Sequence, residues 1–269
     1  MAKFSTLGLL GCGNMGGSLL RGMITSQKWA SEDIYIYDAN EDVCQQLKSE
    51  LKVSVASSVK ELQSKTEVIV LGVKPQVFPL VAKEFFSLTS SHLFISIMAG
   101  LPCQKISELC GGSVRVVRTM PNLPLSVNAG ATAIATDGHD SHVIAGVEEV
   151  FDSVGMTVQV LEKQIDAVIG VSGSGPMYVF EFADAMIKAG IESGLEQKVS
   201  KELALQTLRG AVALLESDKE TPTELTQKVC SPGGTTLAAL AVLQEKGFKE
   251  TVAKAVFAAV NRSIELGKS

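Results

Sequence analysis

A chain of 269 residues with a net charge of −5 has room for one large domain or two modest ones. Its mildly acidic balance, with Lys and Arg scattered, gives no reason to expect a nucleic-acid or membrane partner. Apolar residues make up 46% of the chain, yet no apolar run nears the roughly 20 residues that span a bilayer. The first strand-like segment follows Met-Ala-Lys-Phe-Ser-Thr without a secretory signal, so a soluble cytoplasmic protein is expected.

The chain opens on a nucleotide-binding pattern. Leu7–Leu10 reads as a buried strand and ends in Gly11-Cys12-Gly13-Asn14-Met15-Gly16. Leu19, Leu20, Met23 and Ile24 continue at helical spacing, and Ile34–Tyr37 form a second strand closed by Asp38. A lone G-x-G-x-x-G is weak evidence. Placed after a strand, before a helix, and answered about 20 residues on by a carboxylate, it is the full dinucleotide-binding pattern. Gly11 permits the tight turn, Gly13 lets a pyrophosphate approach the backbone, and Gly16 lets the helix pack on the strand. Asp38 suits two ribose hydroxyls and repels a 2′-phosphate, and Ala39-Asn40-Glu41-Asp42 supply no cation to offset it. That leans toward NADH over NADPH.

The alternation continues through strands expected at Val53–Ala56, Glu67–Val73, Leu93–Met98, Val114–Arg118, Ala131–Ala135 and Met156–Val160, with helices around Val77–Phe86 and Ser141–Ser153. Such apolar strands are those of a parallel sheet covered on both faces. Ligands of these folds bind at the carboxyl ends of the strands, which places Gly72–Pro75, Met98–Gly100 and Thr119–Pro124 there. Lys74 is either a ligand contact or a solvated lysine.

From about Glu162 the strand signal stops. Ile165–Leu195 has helical period, interrupted by Gly170-Val-Ser-Gly-Ser-Gly-Pro176; Leu203–Leu215, Leu237–Leu243 and Thr251–Leu266 follow. The glycine run either lets backbone approach a ligand or lets two helices cross closely. Helices this apolar cannot all be covered within about a hundred residues, so a second subunit is expected to cover them. The domains are therefore 1–162, binding a dinucleotide, and 163–269, helical.

Near the C-terminus, Val229-Cys-Ser-Pro-Gly-Gly-Thr-Thr236 leads at once into an apolar helix. Pro232 fixes one φ, and Gly233 and Gly234 open geometries closed to other residues. Free N–H groups, the hydroxyls of Ser231, Thr235 and Thr236 and the helix dipole make either a small anion pocket or an ordinary capped junction. Five cysteines without a C-x-x-C pair argue against zinc or a disulfide framework. Asp137, His139, Asp140 and His142 are explained by capping and solvation rather than by a metal, so no metal site is expected.

Four segments together resemble the pyrroline-5-carboxylate reductase family: Gly11–Gly16, Val73-Lys74-Pro75, Arg118-Thr-Met-Pro-Asn122, and the pair Gly170–Pro176 with Ser231-Pro-Gly-Gly-Thr-Thr236. The resemblance runs from the first strand to the last helix. It implies an N-terminal Rossmann-like α/β domain and an all-helical C-terminal domain, of the 6-phosphogluconate-dehydrogenase-like type, that forms an interlocked homodimer, in some members built into a decamer. It implies cofactor contacts at Gly11, Asn14, Met15, Asp38, Ala39, Asn40, Gly72, Val73, Lys74, Pro75 and Ala99. It implies contacts to a small cyclic imino acid at Glu162, Ser231, Gly234, Thr235 and Thr236. Met98 and Leu123 depart from the family's usual small residue and threonine. Asp38 departs most, since many relatives carry a small polar residue or a basic neighbour and prefer NADPH.

The chemistry implied is reduction of 1-pyrroline-5-carboxylate to proline, the last step of proline biosynthesis. The substrate has an electrophilic ring C=N and one carboxylate, and it needs no strong acid. The 234–236 amides and the Ser231 hydroxyl are expected to hold the carboxylate, and Thr236 Oγ to hydrogen-bond the ring nitrogen. Holding C5 about 3–3.5 Å from the nicotinamide supplies most of the acceleration. Glu162 is expected to position substrate or a neighbouring loop. A β-hydroxyacid dehydrogenase shares the two-domain plan, but Val179 stands where such an enzyme needs a lysine. A non-catalytic NAD(P)-binding protein would explain the first half and give no reason for Ser231–Thr236.

Overall fold

The computed structural model describes residues 4–217 and 220–268. Its strands are β1 Leu7–Leu10, β2 Ile34–Tyr37, β3 Ser54–Val55, β4 Val68–Leu71, β5 Leu93–Ser96, β6 Arg115–Met120, β7 Gly130–Ala135 and β8 Gly155–Val160. They form one eight-stranded sheet in the order β3-β2-β1-β4-β5-β6-β7-β8. The first six run parallel, with Leu7 opposite both Ile34 and Val68. β7 runs antiparallel to β6, pairing Thr119 with Ile134, and β8 returns parallel to β7.

The helices between strands are α1 Asn14–Thr25, α2 Glu41–Leu51, α3 Val59–Lys65, the short α4 Phe78–Val81, α5 Cys103–Leu109 and α6 Ser141–Phe151. Several starts are written in the local sequence. Asn40 caps α2, Ser58 caps α3, and Asp140 Oδ1 accepts from both the His142 and Val143 amides at the head of α6. Lys52, at φ 61°, ends α2 in the left-handed region. Helices cover both faces of the sheet, and the core is accordingly split. One cluster gathers Leu19, Leu20 and Met23 of α1 with Val147, Val150 and Phe151 of α6. The other gathers Phe78, Phe94 and Ile106 on the opposite face.

Beyond β8 come α7 Ile165–Val168, α8 Gly175–Glu192, α9 Gln197–Ser217, α10 Pro222–Val229, α11 Thr235–Glu245 and α12 Phe248–Lys268. The glycine run between α7 and α8 does not break the helical path. Ile169–Gly173 form a π-turn in which Ser174 N–H reaches back to the Ile169 carbonyl at 2.8 Å. By packing, the chain up to Ser174 together with the stretch from Ala258 makes one unit, and Gly175–Phe257 makes the other. The strands end at Val160, just before the boundary expected at 162/163.

The second unit lacks a core of its own. Its only buried described residues are Ala183, Ser200, Ala204 and Leu225. Within it α8 and α9 approach closely, because Gly190 leaves room for Ser200 Oγ, which donates to the Ile187 carbonyl at 2.8 Å. Large apolar side chains stay uncovered, among them Phe180 at 57%, Leu203 at 55% and Phe257 at 63% exposure. Patches of this kind mark association surfaces. Among the described residues no helix is long and apolar enough to cross a membrane. Sedimentation velocity is expected to give at least twice the chain mass, and Phe180→Glu with Leu203→Glu should shift it toward the monomer or into aggregates. An unaltered monomer for both proteins would refute the need for a partner.

Candidate active site

The dinucleotide turn is built by three strand ends meeting. Gly11 N–H donates to the Tyr37 carbonyl at 2.9 Å, and Gly72 N–H to the Leu10 carbonyl at 2.8 Å. Gly11 sits at φ +95°, and a Cβ there would lie 2.6 Å from the Gly72 carbon and the Val73 nitrogen. Only glycine allows β1 and β4 to close up so near the point where the chain leaves the sheet in both directions, where ligands of such sheets bind. Gly16 packs on Gly11 in the same way, with a Cβ position 2.3 Å from the Gly11 oxygen. Gly13 instead faces open space. It is the N-cap of α1 with no side-chain cap, and the Gly13, Asn14, Met15 and Gly16 amides have no partner among the described residues. This cradle fits a pyrophosphate: unpaired donors, a positive helix end and no side chain in the way.

Asp38 ties the cradle to the next loop. Its Oδ2 accepts from the Cys12 amide at 2.7 Å, and its Oδ1 accepts from the Asn40 amide at 2.9 Å. Each oxygen keeps lone-pair capacity for a hydroxyl. Beside it lies a cavity of about 410 Å³ lined by Tyr37, Asp38, Ala39, Lys48 and Ser57. Lys48 is a correction to the sequence reading. The residues directly after Asp38 offer no cation, but the turn of α2 brings this lysine to the same cavity wall. Beneath, Cys12 Sγ donates to the Tyr37 carbonyl at 3.9 Å and Cys44 Sγ to the Asp38 carbonyl at 3.8 Å, and the neighbouring Cys44 thiol together with burial pushes the Cys12 thiol up.

Val73, Lys74 and Pro75 follow β4 after Gly72. Lys74 is exposed, and its carbonyl takes the Val77 amide at 2.9 Å to start the next turn. Ala99 follows β5, beside Gly100 at φ +76°. Glu162, expected to touch substrate or a loop, lies against a loop: its Oε1 accepts from the Cys103 amide at 2.7 Å, at the head of α5. Burial first, and then Glu162, push the Cys103 thiol up to about 12.

In the second unit, α10 ends at Val229 and the chain turns through Ser231-Pro-Gly-Gly234. Gly233 lies at φ +71°, and Gly234 N–H closes the turn on the Ser231 carbonyl at 3.0 Å. The Gly234 amide is therefore not a free donor, which corrects the set expected over 234–236. The free amides are those of Thr235, Thr236 and Leu237, which have no partner among the described residues. Gly234 is the N-cap of α11 without a side-chain cap, and a Cβ there would meet Ser231 Oγ at 2.5 Å. The Ser231, Thr235 and Thr236 hydroxyls are likewise unpaired and exposed.

Comparison with known proteins decides what this pairing of sites means. Residues 162–266 match the family model described as pyrroline-5-carboxylate reductase dimerisation, and residues 6–100 match one described as NADP oxidoreductase, coenzyme F420-dependent. A pyrroline-5-carboxylate reductase of Synechocystis is 38% identical over 97% of this chain and 98% of its own. That of Escherichia coli is 34% identical over 98% of both. The chain belongs to the pyrroline-5-carboxylate reductase family. A solved structure of the Plasmodium falciparum pyrroline carboxylate reductase with NADP bound is 32% identical and superposes with a TM-score of 0.90, covering 97% of this chain and 98% of that one. The fold of the family, a dinucleotide-binding α/β domain followed by a helical dimerisation domain, is thus the fold of this chain.

Two glycines of the reductase allow direct tests. Gly11→Ala and Gly234→Ala place a Cβ against backbone and against Ser231 Oγ respectively. Gly11→Ala should cost more than about 1 kcal/mol of stability and abolish dinucleotide binding. Gly234→Ala should leave dinucleotide binding intact while weakening turnover at least tenfold. Urea denaturation and dinucleotide titration separate the two; a Gly11→Ala protein that binds normally would refute the account of the cradle.

Proposed function

We propose that this reductase converts 1-pyrroline-5-carboxylate to L-proline with a reduced nicotinamide dinucleotide, the last step of proline biosynthesis. The observation that carries this is the Ser231–Leu237 corner: the unpaired Thr235, Thr236 and Leu237 amides and three unpaired hydroxyls at an uncapped helix start, in a chain related to these reductases over nearly its whole length.

When bound, the dinucleotide supplies the hydride. Gly11, Cys12, Gly13, Asn14, Met15 and Gly16 hold its pyrophosphate, Asp38, Ala39 and Asn40 its ribose, and Val73, Lys74, Pro75 and Ala99 its nicotinamide side. The Thr235 and Thr236 amides and the Ser231 hydroxyl hold the substrate carboxylate, with Gly234 giving the corner its shape. Main-chain donors at a helix start suit a carboxylate because the dipole adds to the hydrogen bonds. Thr236 Oγ donates to the ring nitrogen as it turns from imine to amine, and so Thr236 is the catalytic residue. No residue of the corner is a strong acid, and none is needed, because the imine nitrogen protonates near neutral pH.

Asp38 favours NADH, and Lys48 on the same cavity wall gives a 2′-phosphate one cation to meet. We therefore assign NADH as the preferred donor with NADPH accepted. The reductase works in the cytoplasm as a homodimer through its helical half, with a decamer as the larger assembly.

Steady-state turnover of 1-pyrroline-5-carboxylate with both donors is the test. Thr236→Ala should lower kcat/KM roughly 10²-fold, in the range of a lost proton donor; full activity would remove the nitrogen-side role. Ser231→Ala should raise the KM for the imino acid more than it lowers kcat. Lys48→Met should raise the KM for NADPH and leave that for NADH unchanged; equal effects on both would show that Lys48 does not read the 2′-phosphate.

A further inference from the structure

Arg118 ends the parallel part of β6 and is the one arginine of the Arg118–Asn122 motif. It is 4% exposed, and its Nε and Nη2 make no hydrogen bond among the described residues. A guanidinium taken out of water with donors unmet is costly, so its partners must account for its place. Two carboxylates face it: Glu162 Oε1 at 3.8 Å from Nη1, and Asp166 Oδ1 at 3.6 Å from Nη2. These are ion pairs at a distance too long for hydrogen bonds. Glu162 and Asp166 lie four residues apart on the turn leading into α7, so one helical face presents both.

Each acid also takes a donor from a different part of the chain. Glu162 Oε1 accepts from the Cys103 amide at 2.7 Å, and Asp166 Oδ1 accepts from Ser263 Oγ of α12 at 2.6 Å. Between these two anchors runs the connection from β5 to α5. A Cβ on its Gly100 would stand 3.0 Å from Leu266 Cβ, and a Cβ on Gly267 would stand 2.6 Å from the Gly100 oxygen. The connection is thus fixed by Glu162 at its end and by α12 at its middle, and both fixings pass through the carboxylates that Arg118 draws in.

We infer that Arg118 is a positioning residue for hydride transfer: by holding Glu162 and Asp166 it sets the Ala99–Gly100 backbone against which the nicotinamide rests. This rests on the reading of Ala99 as a cofactor contact given above. The geometry assigns Arg118 no contact with substrate. Its effect is on one half of the cofactor only, because the cradle at Gly11–Gly16 makes no hydrogen bond with this network.

The test uses the full chain with Arg118→Met, Arg118→Lys and Asp166→Asn. Calorimetry measures affinity for ADP-ribose, which lacks the nicotinamide, and for NAD⁺; turnover is measured with NADH and with 4-deuterated NADH. Arg118→Met should bind ADP-ribose within about twofold of wild type, bind NAD⁺ more weakly, and lose roughly 10²-fold in kcat, the cost of about 1 Å of misplacement. The deuterium effect on kcat should rise as the chemical step becomes limiting. Arg118→Lys should recover to within about tenfold. Should Arg118→Met fail to fold, Asp166→Asn carries the test, with a smaller loss in the same pattern. Parallel weakening of ADP-ribose and NAD⁺, or unchanged turnover in the soluble variants, overturns the assignment. A wild-type chain that binds no ADP-ribose fails at the dinucleotide site itself, a different result from either.

Discussion

Two helix starts with glycine in place of a side-chain cap organise this protein. α2, α3, α6 and α10 each begin with a side-chain cap, from Asn40, Ser58, Asp140 and Thr221. α1 and α11 begin instead with glycine, Gly13 and Gly234, and neither takes a side-chain cap. Their first amides are left unpaired, at the two places where the proposed chemistry requires an anion: a pyrophosphate and a carboxylate. A helix start left open in this way forgoes roughly 1 kcal/mol of capping, which an anion restores when it binds. The rest of the fold serves to hold these two donors sets rigid. The closing-up of Gly11, Gly16 and Gly72 fixes the first, and the Ser231–Gly234 turn fixes the second.

Much of this was legible in the sequence, and what was not has physical causes. All eight expected strands and the long helices follow from apolar period, and the glycine signature follows from what backbone geometry demands at its positions. The antiparallel entry of β7 was missed, because strand direction is set by a connection's path and not by the strand's own residues. α10 was missed because its apolar content is thin, although Thr221-Pro-Thr-Glu224 is a capping box with Pro at the first turn. The Gly170–Pro176 run interrupts the apolar period, yet the chain absorbs it as a π-turn and stays helical, with Asn122 Nδ2, just beyond β6, donating to the Ser172 carbonyl at 3.3 Å. Lys48 is not adjacent to Asp38 in sequence; the helix α2 returns its side chain to the same cavity wall two turns on.

The uncovered helical unit and the incomplete look of the corner are one observation seen twice. A unit whose described residues bury only Ala183, Ser200, Ala204 and Leu225 cannot hold five helices together by its own packing. The family model that spans 162–266 is named for dimerisation, which agrees with the uncovered apolar surface of this unit. The corner begins α11, whose Leu237, Val242 and Leu243 are among the uncovered side chains. The proposed substrate donors therefore sit on a helix with an uncovered apolar face. Assembly and activity are expected to rise and fall together.

What separates this reductase from an alcohol dehydrogenase of the same plan is the absence of a demand for a base. Oxidising an alcohol requires a group that removes its proton, and the lysine such enzymes use has no counterpart here: Val179 occupies the offset and is 52% exposed. Reducing an imine reverses the requirement, since the nitrogen gains a proton rather than losing one, and a hydroxyl that donates a hydrogen bond is sufficient. In the proposed reaction Thr236, at the second position of α11, would meet that need, because a helix dipole that favours a carboxylate also polarises donors placed at its positive end. Removing charge from the corner's side chains has a further consequence. Between Ser231 and Leu237 no side chain is charged, so within this segment none competes with the proposed substrate carboxylate for the Thr235, Thr236 and Leu237 amides.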